Sequence, residues 1–219
     1  MLRYLTAGES HGECLVAIVE GLPSGLKLDG KGIDSELKRR QEGFGRGPRM
    51  RIESDSVRIV SGVRGGLTLG SPIAVVVKNA DWVNWGRIMS VEAGPAVEPL
   101  TAPRPGHADL AGALKYGHRD IRNVLERASA RETAARVAVG AIAKRLLEEL
   151  GAAVLGHVIA IGPVEARRVQ SSLKALRRAA EKSPARCADG AASRAMVRLI
   201  GRAARSGDTA GGVVEVVAS

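Results

Sequence analysis

The residues between Ala134 and Leu147 constrain the fold of this chain more than any other segment. Apolar side chains cover almost every side of the helix that the stretch predicts: Ala134, Val137, Ala138, Val139, Ala141, Ile142, Leu146 and Leu147. Apart from Arg136, charged residues appear only near its end, before Gly151. A helix that is apolar all round must be buried on more than one side. We therefore expect a helix from about Ala130 to Leu150 that is covered by sheet. Ser129 and Glu132 have the spacing of a capping box at its start.

Strands and helices alternate along the rest of the chain. The pattern predicts strands at 2–7, 13–20, 51–63, 72–78, 153–162 and from 211 onward, and helices at 34–40, 171–181 and 191–206. The apolar run at 72–78 is typical of a strand buried on both faces. Residues 79–106 contain four prolines and predict a long loop, and long loops in compact domains are often functional.

Composition excludes several classes of protein. No apolar run reaches the roughly 18–20 residues of a membrane-spanning helix, and the first residues lack the pattern of a secretion signal. Cys14 and Cys187 lie far apart, which argues against a disulfide framework or a zinc site. We expect a soluble, cytoplasmic protein with no membrane partner. The chain has only two Trp, two Tyr and one Phe, so Val, Ile, Leu and Ala must build its core.

The net charge of +10 predicts an anionic partner, because a positive excess speeds the capture of anions. Residues 38–51 concentrate arginines between glycines and a proline, which indicates a loop. Such a loop is either a solvated basic surface or a set of guanidinium groups arranged around one small anion. A nucleic-acid-binding module is the competing interpretation, motivated by a sequence pI of about 10.3. The scarcity of aromatic residues argues against it, because single-strand binders stack bases on aromatic rings.

Two histidines stand beside residues suited to anion binding. His11 lies in the turn Gly8-Glu9-Ser10-His11-Gly12 between two predicted strands, and His107 follows Arg104 where a helix begins. Either could be an ordinary surface or helix-start residue. Because histidine exchanges protons near neutral pH, the pair also indicates proton transfer next to bound anions. His118 and His157 lack such neighbours and are predicted to be structural or surface residues.

Four segments of the sequence, in order, resemble the signatures of the chorismate synthase family: Arg3–Gly12, Arg39–Met50, Arg104–Asp109 and Glu126–Thr133. The resemblance extends over essentially the whole chain and is loosest from about 165 to 205. It implies a lyase of the shikimate pathway, which supplies aromatic amino acid biosynthesis. Its substrate, 5-enolpyruvylshikimate 3-phosphate, loses phosphate and a ring hydrogen in an anti-1,4 elimination. The product is chorismate, and reduced FMN is required although the net reaction is redox-neutral.

The resemblance also implies roles for individual residues. His11 would protonate the departing phosphate, and His107 would act on the reduced flavin. The predicted substrate-binding residues are Ser10, Arg40, Arg46, Arg49, Arg104 and Arg131. The predicted FMN-binding residues are Arg127, Ala128, Ser129 and Ala130. No metal ligand is expected. The sequence leaves open whether FMN is reduced by NADPH on the protein or by an outside source.

The family fold is α+β, a β-α-β sandwich with central helices between antiparallel sheets, assembled as a homotetramer. Residues 1–219 would form the amino-terminal part of one such domain, because family members are typically longer and the last predicted strand ends at Ser219. Such a piece would expose a sheet edge and self-associate. An inactive fragment and a flavin- or phosphate-binding subunit therefore remain alternatives to the complete enzyme.

Overall fold

The computed structural model describes residues 1–45, 52–94, 96–168 and 171–219. Two units each build their own sheets: Met1–Arg40 with Arg49–Leu146, and Gln41–Pro48 with Leu147–Ser219. The strands of the first unit are β1 (Arg3–Ala7), β2 (Cys14–Glu20), β3 (Ser24–Lys27), β4 (Val57–Ile59), β5 (Val63–Arg64), β6 (Leu67–Leu69) and β7 (Ile73–Lys78). Its helices are α1 (Gly30–Gln41), α2 (Trp82–Trp85), α3 (Asp109–Tyr116), α4 (Arg122–Leu125) and α5 (Thr133–Glu149).

The main sheet of the first unit is antiparallel throughout, in the order β1-β2-β7-β4. Its inner face presents Leu15, Ala17 and Val19 from β2 and Ile73, Val75 and Val77 from β7, all buried. These side chains pack in one core with α1 and α5. A smaller antiparallel sheet, β3-β6-β5, completes the unit. Alternating inner and outer positions therefore set the register, because a slip of one residue would expose the whole apolar set.

Helix α5 confirms the prediction of a long buried helix. Its residues Ala134, Ala135, Ala138, Val139, Ala141 and Ile142 are all buried. Its first turn differs from the prediction, because Ala130–Glu132 form a short 3-10 helix ahead of it. Ser129 caps that turn by accepting from the backbone N–H of Arg131 at 3.3 Å. The Glu132 carboxylate accepts instead from Thr6 Oγ1 at 2.5 Å, so the reciprocal half of the predicted capping box was wrong.

The prediction that 72–78 is buried on both faces was also wrong. Ile73, Val75 and Val77 are buried, but Ala74 and Val76 on the opposite face are only partly covered. On the same outer face Ile18 is 43% exposed and Leu5 is 75% exposed. The run is uniformly apolar although one layer of helices covers only one of its faces. Over the residues that the structure describes, the short strands β4 and β5 replace the predicted strand at 51–63, and the predicted long loop contains α2 and is otherwise irregular.

The second unit contains β8 (Val154–Ile161), β9 (Val164–Glu165), β10 (Gly212–Ala218), α6 (Leu173–Lys182) and α7 (Gly190–Arg205). Its antiparallel sheet has the order β10-β8-β9. Cys187 and Met196 lie at the centre of a small core. Strand β10 forms one edge of the sheet, and Val213, Val214 and Val216 on it are more than half exposed. The predicted α+β class is confirmed, since both units combine helices with antiparallel sheets.

Over the ranges that the structure describes, no helix combines the length and apolarity that crossing a membrane requires.

The two faces of the main sheet predict different mutational costs. Ile73→Ala removes a side chain that is 0% exposed, and it should lower the free energy of unfolding by about 2–5 kcal/mol. Ile18→Ala, on the neighbouring strand but on the outer face, should cost well under half as much. Urea denaturation of both variants measures the difference. Equal costs would show that the outer face is covered as well as the inner one.

Candidate functional site

The turn that carries Ser10 and His11 is fixed by its backbone. Gly8 adopts φ +102°, and a Cβ there would lie 2.3 Å from the carbonyl oxygen of Cys14, so only glycine fits. Asn79 Nδ2 donates to two carbonyl oxygens of the same turn, that of Glu9 at 3.0 Å and that of Gly12 at 2.7 Å. The side chain of Asn79 thus spans the turn and holds its two ends together.

His11 lies between an acidic and an aromatic side chain. Its Nδ1 lies 2.8 Å from Glu126 Oε2, and its ring stacks on Trp85 with centroids 4.0 Å apart. On its other edge, Nε2 lies 3.7 Å from Asp81 Oδ2. The backbone N–H of Ser10 donates to the carbonyl oxygen of Glu126 at 2.9 Å, and Ser10 is itself buried. The two consecutive residues are therefore held by one partner, Glu126.

Arg131 is the centre of a buried network of charges. Only 4% of the residue is exposed. Its Nη1 donates to Asp55 Oδ1 at 2.5 Å, its Nη2 lies 3.5 Å from Glu53 Oε2, and its Nε donates to Asn79 Oδ1 at 2.8 Å. Asn79 spans the turn that carries Ser10 and His11, called here the histidine turn. The guanidinium group of Arg131 therefore holds the Asn79 side chain in place, and that side chain holds the turn.

Arg40 joins the same network from α1. Its Nη1 donates to Asp55 Oδ2 at 3.2 Å, and its Nε donates to Thr133 Oγ1 at 2.9 Å. One carboxylate, that of Asp55, thus serves two of the arginines that the sequence predicts to bind substrate. These two arginines come from α1 and from the turn before α5, so the ion pairs connect elements that are distant in sequence.

Arg104 pairs with Asp109 at the start of α3. Its Nε and Nη2 each donate to one carboxylate oxygen at 2.9 Å, and its backbone N–H donates to the same group at 3.0 Å. These bonds lower the pKa of Asp109 to about 2, and the hydrogen bond to Asp109 raises the pKa of Arg104. The charge of Glu126 also raises the pKa of Arg104, which places the pair within electrostatic range of the histidine turn.

His107 lies beside this pair, and it is exposed. Its backbone N–H donates to the carbonyl oxygen of Arg104 at 3.4 Å, and its charge contributes to the low pKa of Asp109. The structure thus brings His107 to the Arg104–Asp109 pair, and both lie in the first unit with the turn of His11.

The predicted flavin residues form the turn between α4 and α5. Ala128 and Ala130 are exposed, and Ser129 is half-buried. The guanidinium group of Arg127 donates to Glu132 Oε2 at 2.5 Å and to the carbonyl oxygen of Thr6 at 3.0 Å. Burial raises the pKa of Glu132, but the hydrogen bonds from Arg127 and Thr6 outweigh it and leave that pKa lowered. Arg46 and Arg49 lie outside the described residues.

The acidic partners of these cations were not predicted. Glu126 belongs to one of the four segments that resemble the family, but the predicted roles fall on its neighbours, and none falls on Glu53, Asp55 or Asp81. A signal was available for Asp81, because both tryptophans of this aromatic-poor chain follow it within a predicted functional loop. Glu53 and Asp55 follow the arginine-rich segment directly, and buried arginines require carboxylate partners.

Comparison with known proteins shows the family to which the chain belongs. The chorismate synthase family model matches residues 2–219. A chorismate synthase of Desulforudis audaxviator (strain MP104C) is 59% identical over 218 residues, which cover 99% of this chain and 56% of the relative. One from Geobacillus sp. (strain WCH70) is 58% identical and is covered to 57%. A crystal structure of chorismate synthase superimposes with a TM-score of 0.77 at 39% identity, covering 99% of this chain and 57% of that one.

The fold and the site thus define an α+β protein with a histidine turn surrounded by arginine–carboxylate pairs. The chain belongs to the chorismate synthase family. It spans about 57% of the length of the curated relatives that it matches.

The pair of Arg104 and Asp109 predicts a pH dependence of stability. Because Asp109 has a lower pKa in the folded protein than its ordinary value of 3.8, its ionised form stabilises the fold above about pH 4, and this contribution disappears as the pH falls towards 2. Asp109→Asn should therefore melt at a lower temperature than the wild type at pH 7, with the gap closing between pH 4 and pH 2. Thermal melts across this range test it. Asp208→Asn, at an exposed position, should leave the curve unchanged, and a gap independent of pH would contradict the prediction.

The buried network predicts a large cost for removing Arg131. Arg131→Met leaves two buried carboxylates without their shared cation, and it should lower the free energy of unfolding by about 3–5 kcal/mol. Arg136 is the matched control, because its side chain is 59% exposed and pairs with Glu132 at 3.4 Å. Arg136→Met should cost less than about 1 kcal/mol. Urea denaturation compares the two, and similar losses would show that the Arg131 pairs contribute no more than surface pairs.

Proposed function

We propose that this chain forms part of the active site of a chorismate synthase that removes phosphate from 5-enolpyruvylshikimate 3-phosphate by anti-1,4 elimination. The observation that carries the proposal is His11, held by Glu126 and Trp85 in a rigid turn beside arginines. A histidine in this position can exchange a proton with a bound anion, and the arginines supply the positive charge that such an anion needs.

The charge of the substrate supports this function. The substrate carries one phosphate and two carboxylates, and a phosphate monoester alone has about −1.5 to −2 charges at neutral pH. Ser10, Arg40, Arg104 and Arg131 are proposed to hold these groups, together with Arg46 and Arg49. The net charge of +10 favours capture of such an anion at a distance. Arginine suits the task because its guanidinium group keeps its proton at every relevant pH.

Proton transfer from His11 would stabilise the leaving group. As the carbon–oxygen bond breaks, negative charge develops on the phosphate oxygen, so a protonated imidazole and fixed guanidinium groups stabilise the transition state more than the ground state. His107, beside Arg104, is proposed as the second proton carrier, which would act on the reduced flavin. The His11 side chain is 19% exposed, which gives a ligand access to a ring that is otherwise enclosed.

The turn from Arg127 to Ala130 has the chemistry that FMN requires. Its two exposed alanines leave room for a planar ring, and the partly exposed guanidinium group of Arg127 offers a cation. We propose that Arg127, Ala128, Ser129 and Ala130 contact reduced FMN, which would supply the electron density that assists departure of the phosphate. The residues of this chain supply placement and charge.

Self-association is proposed as well. The outer face of the main sheet exposes Leu5 and Ile18, and β10 exposes three valines, so apolar surface is available for contacts between copies. A homotetramer, as the family resemblance implies, accords with these surfaces, and the cytoplasm is the location proposed from the composition of the chain.

A chimaera tests the proposed function directly. This chain would replace the matching 218 residues of the Desulforudis audaxviator relative, of which it covers 56%. With FMN reduced anaerobically by dithionite, the chimaera should form chorismate and release phosphate in equal amounts. His11→Ala and His107→Ala should each lower kcat by about 10²–10⁴-fold.

His118→Ala is the matched control for these variants. His118 is exposed in the same unit and contacts Asn123 and Tyr116, so its removal should change kcat less than twofold. An inactive chimaera beside an active Desulforudis enzyme would refute the proposal. Equal losses from all three histidine variants would show that His11 and His107 have no specific role.

A further inference from the structure

Glu126 has an environment that its position in the chain does not explain. It follows α4 directly, yet its carboxylate is only 1% exposed and faces the distant turn of His11. Oε2 accepts from the backbone N–H of His11 at 2.8 Å, and Nδ1 of the ring lies 2.9 Å from Oε1 and 2.8 Å from Oε2. Burying a carboxylate is costly unless donors surround it. A residue needed only to end a short helix would not require such a group.

The contacts of Glu126 determine which ring nitrogen carries the proton. A carboxylate only accepts hydrogen bonds, so Nδ1 of His11 must be the donor. Stacking on Trp85, with an interplanar angle of 19°, holds the ring in its plane. Because Glu126 engages Nδ1, Nε2 is the nitrogen that exchanges a proton with a ligand, on the edge of the ring where Asp81 Oδ2 lies 3.7 Å away.

We propose that Glu126 is a positioning residue for His11. Its carboxylate holds the ring with the proton on Nδ1 and compensates the charge of the imidazolium that must form before a proton is given up. In the transfer, the Nε2–H bond breaks and an O–H bond forms on the departing phosphate. The proton on Nδ1 stays in place, hydrogen-bonded to Glu126. The ring returns to neutral and takes a proton from solvent between turnovers. The role of Glu126 in proton transfer rests on the proposed function, whereas the protonation of His11 on Nδ1 does not.

The chain contains a second histidine–carboxylate pair, which uses the other ring nitrogen and can serve as a reference. In the second unit, His157 pairs with Glu215 through Nε2, at 2.9 Å from Oε2. The two histidines should therefore hold their protons on different nitrogens: Nδ1 in His11 and Nε2 in His157. Both are measured in one sample, and neither measurement needs substrate or flavin.

Nitrogen-15 NMR of the histidine rings provides the test. In long-range proton–nitrogen spectra of the neutral rings, His11 should be mainly protonated on Nδ1 and His157 on Nε2. In Glu126→Gln, the amide can donate to Nδ1, so His11 should become protonated mainly on Nε2. The protonation of His157 should stay unchanged. Glu215→Gln is the matched control, and it should leave the signals of His11 unchanged. Wild-type His11 protonated mainly on Nε2 would overturn the proposal, even if no variant folds.

Activity of the chimaera provides the second readout. Glu126→Gln should lower kcat by roughly 10²–10⁴-fold and change KM less than about threefold, because Glu126 acts through His11 and not on the substrate. Glu126→Asp, which keeps the carboxylate, should recover at least tenfold of the loss. A reversed ring with unchanged kcat, or no recovery in Glu126→Asp, would overturn the positioning role. An inactive chimaera with unchanged residues would count against the proposed function alone.

Discussion

The buried guanidinium group of Arg131 is the interaction on which the candidate site depends. It contacts Asp55, Glu53 and Asn79 at once, and Asn79 in turn spans the histidine turn. In a medium of low polarity each of these groups would be costly alone, so the network is stable only when complete. The turn between β1 and β2, residues 53–55 and the start of α5 are therefore fixed together. Local sequence preferences could not have imposed that arrangement on three distant segments.

Much of the fold could be predicted because buried apolar residues recur at a regular spacing along the sequence. Helix α5 and the alternating positions of β2 follow from the spacing of apolar residues, which shows which face of a helix or strand is buried. The apolar run of β7 misled the prediction, since such a run does not reveal whether one face or two are covered. The start of α5 misled it for a different reason. Glu132 had the spacing of a capping box, but Arg127 and Thr6 offered its carboxylate stronger partners than a backbone amide.

The site was predicted unevenly for a similar reason. Arginines and histidines next to glycines stand out in a sequence, so His11, His107 and the arginines were noted. Their carboxylate partners, such as Asp55 and Glu126, are ordinary residues until folding brings them to the cations across many residues. Whether the noted residues bind substrate or flavin stays a prediction. The structure adds that Arg40, Arg104, Arg127 and Arg131 are each paired with a carboxylate.

The pairing of these arginines has a consequence for selectivity. If these arginines bind the substrate as proposed, an anion that approaches the site competes with carboxylates already in place, and a weakly charged ligand gains little by displacing them. A ligand with several negative groups can engage several guanidinium groups together, and its total attraction exceeds what the internal counter-ions supply. The carboxylates therefore act as a threshold on ligand charge. Chloride and simple monocarboxylates would fall below that threshold, whereas a compact polyanion would pass it.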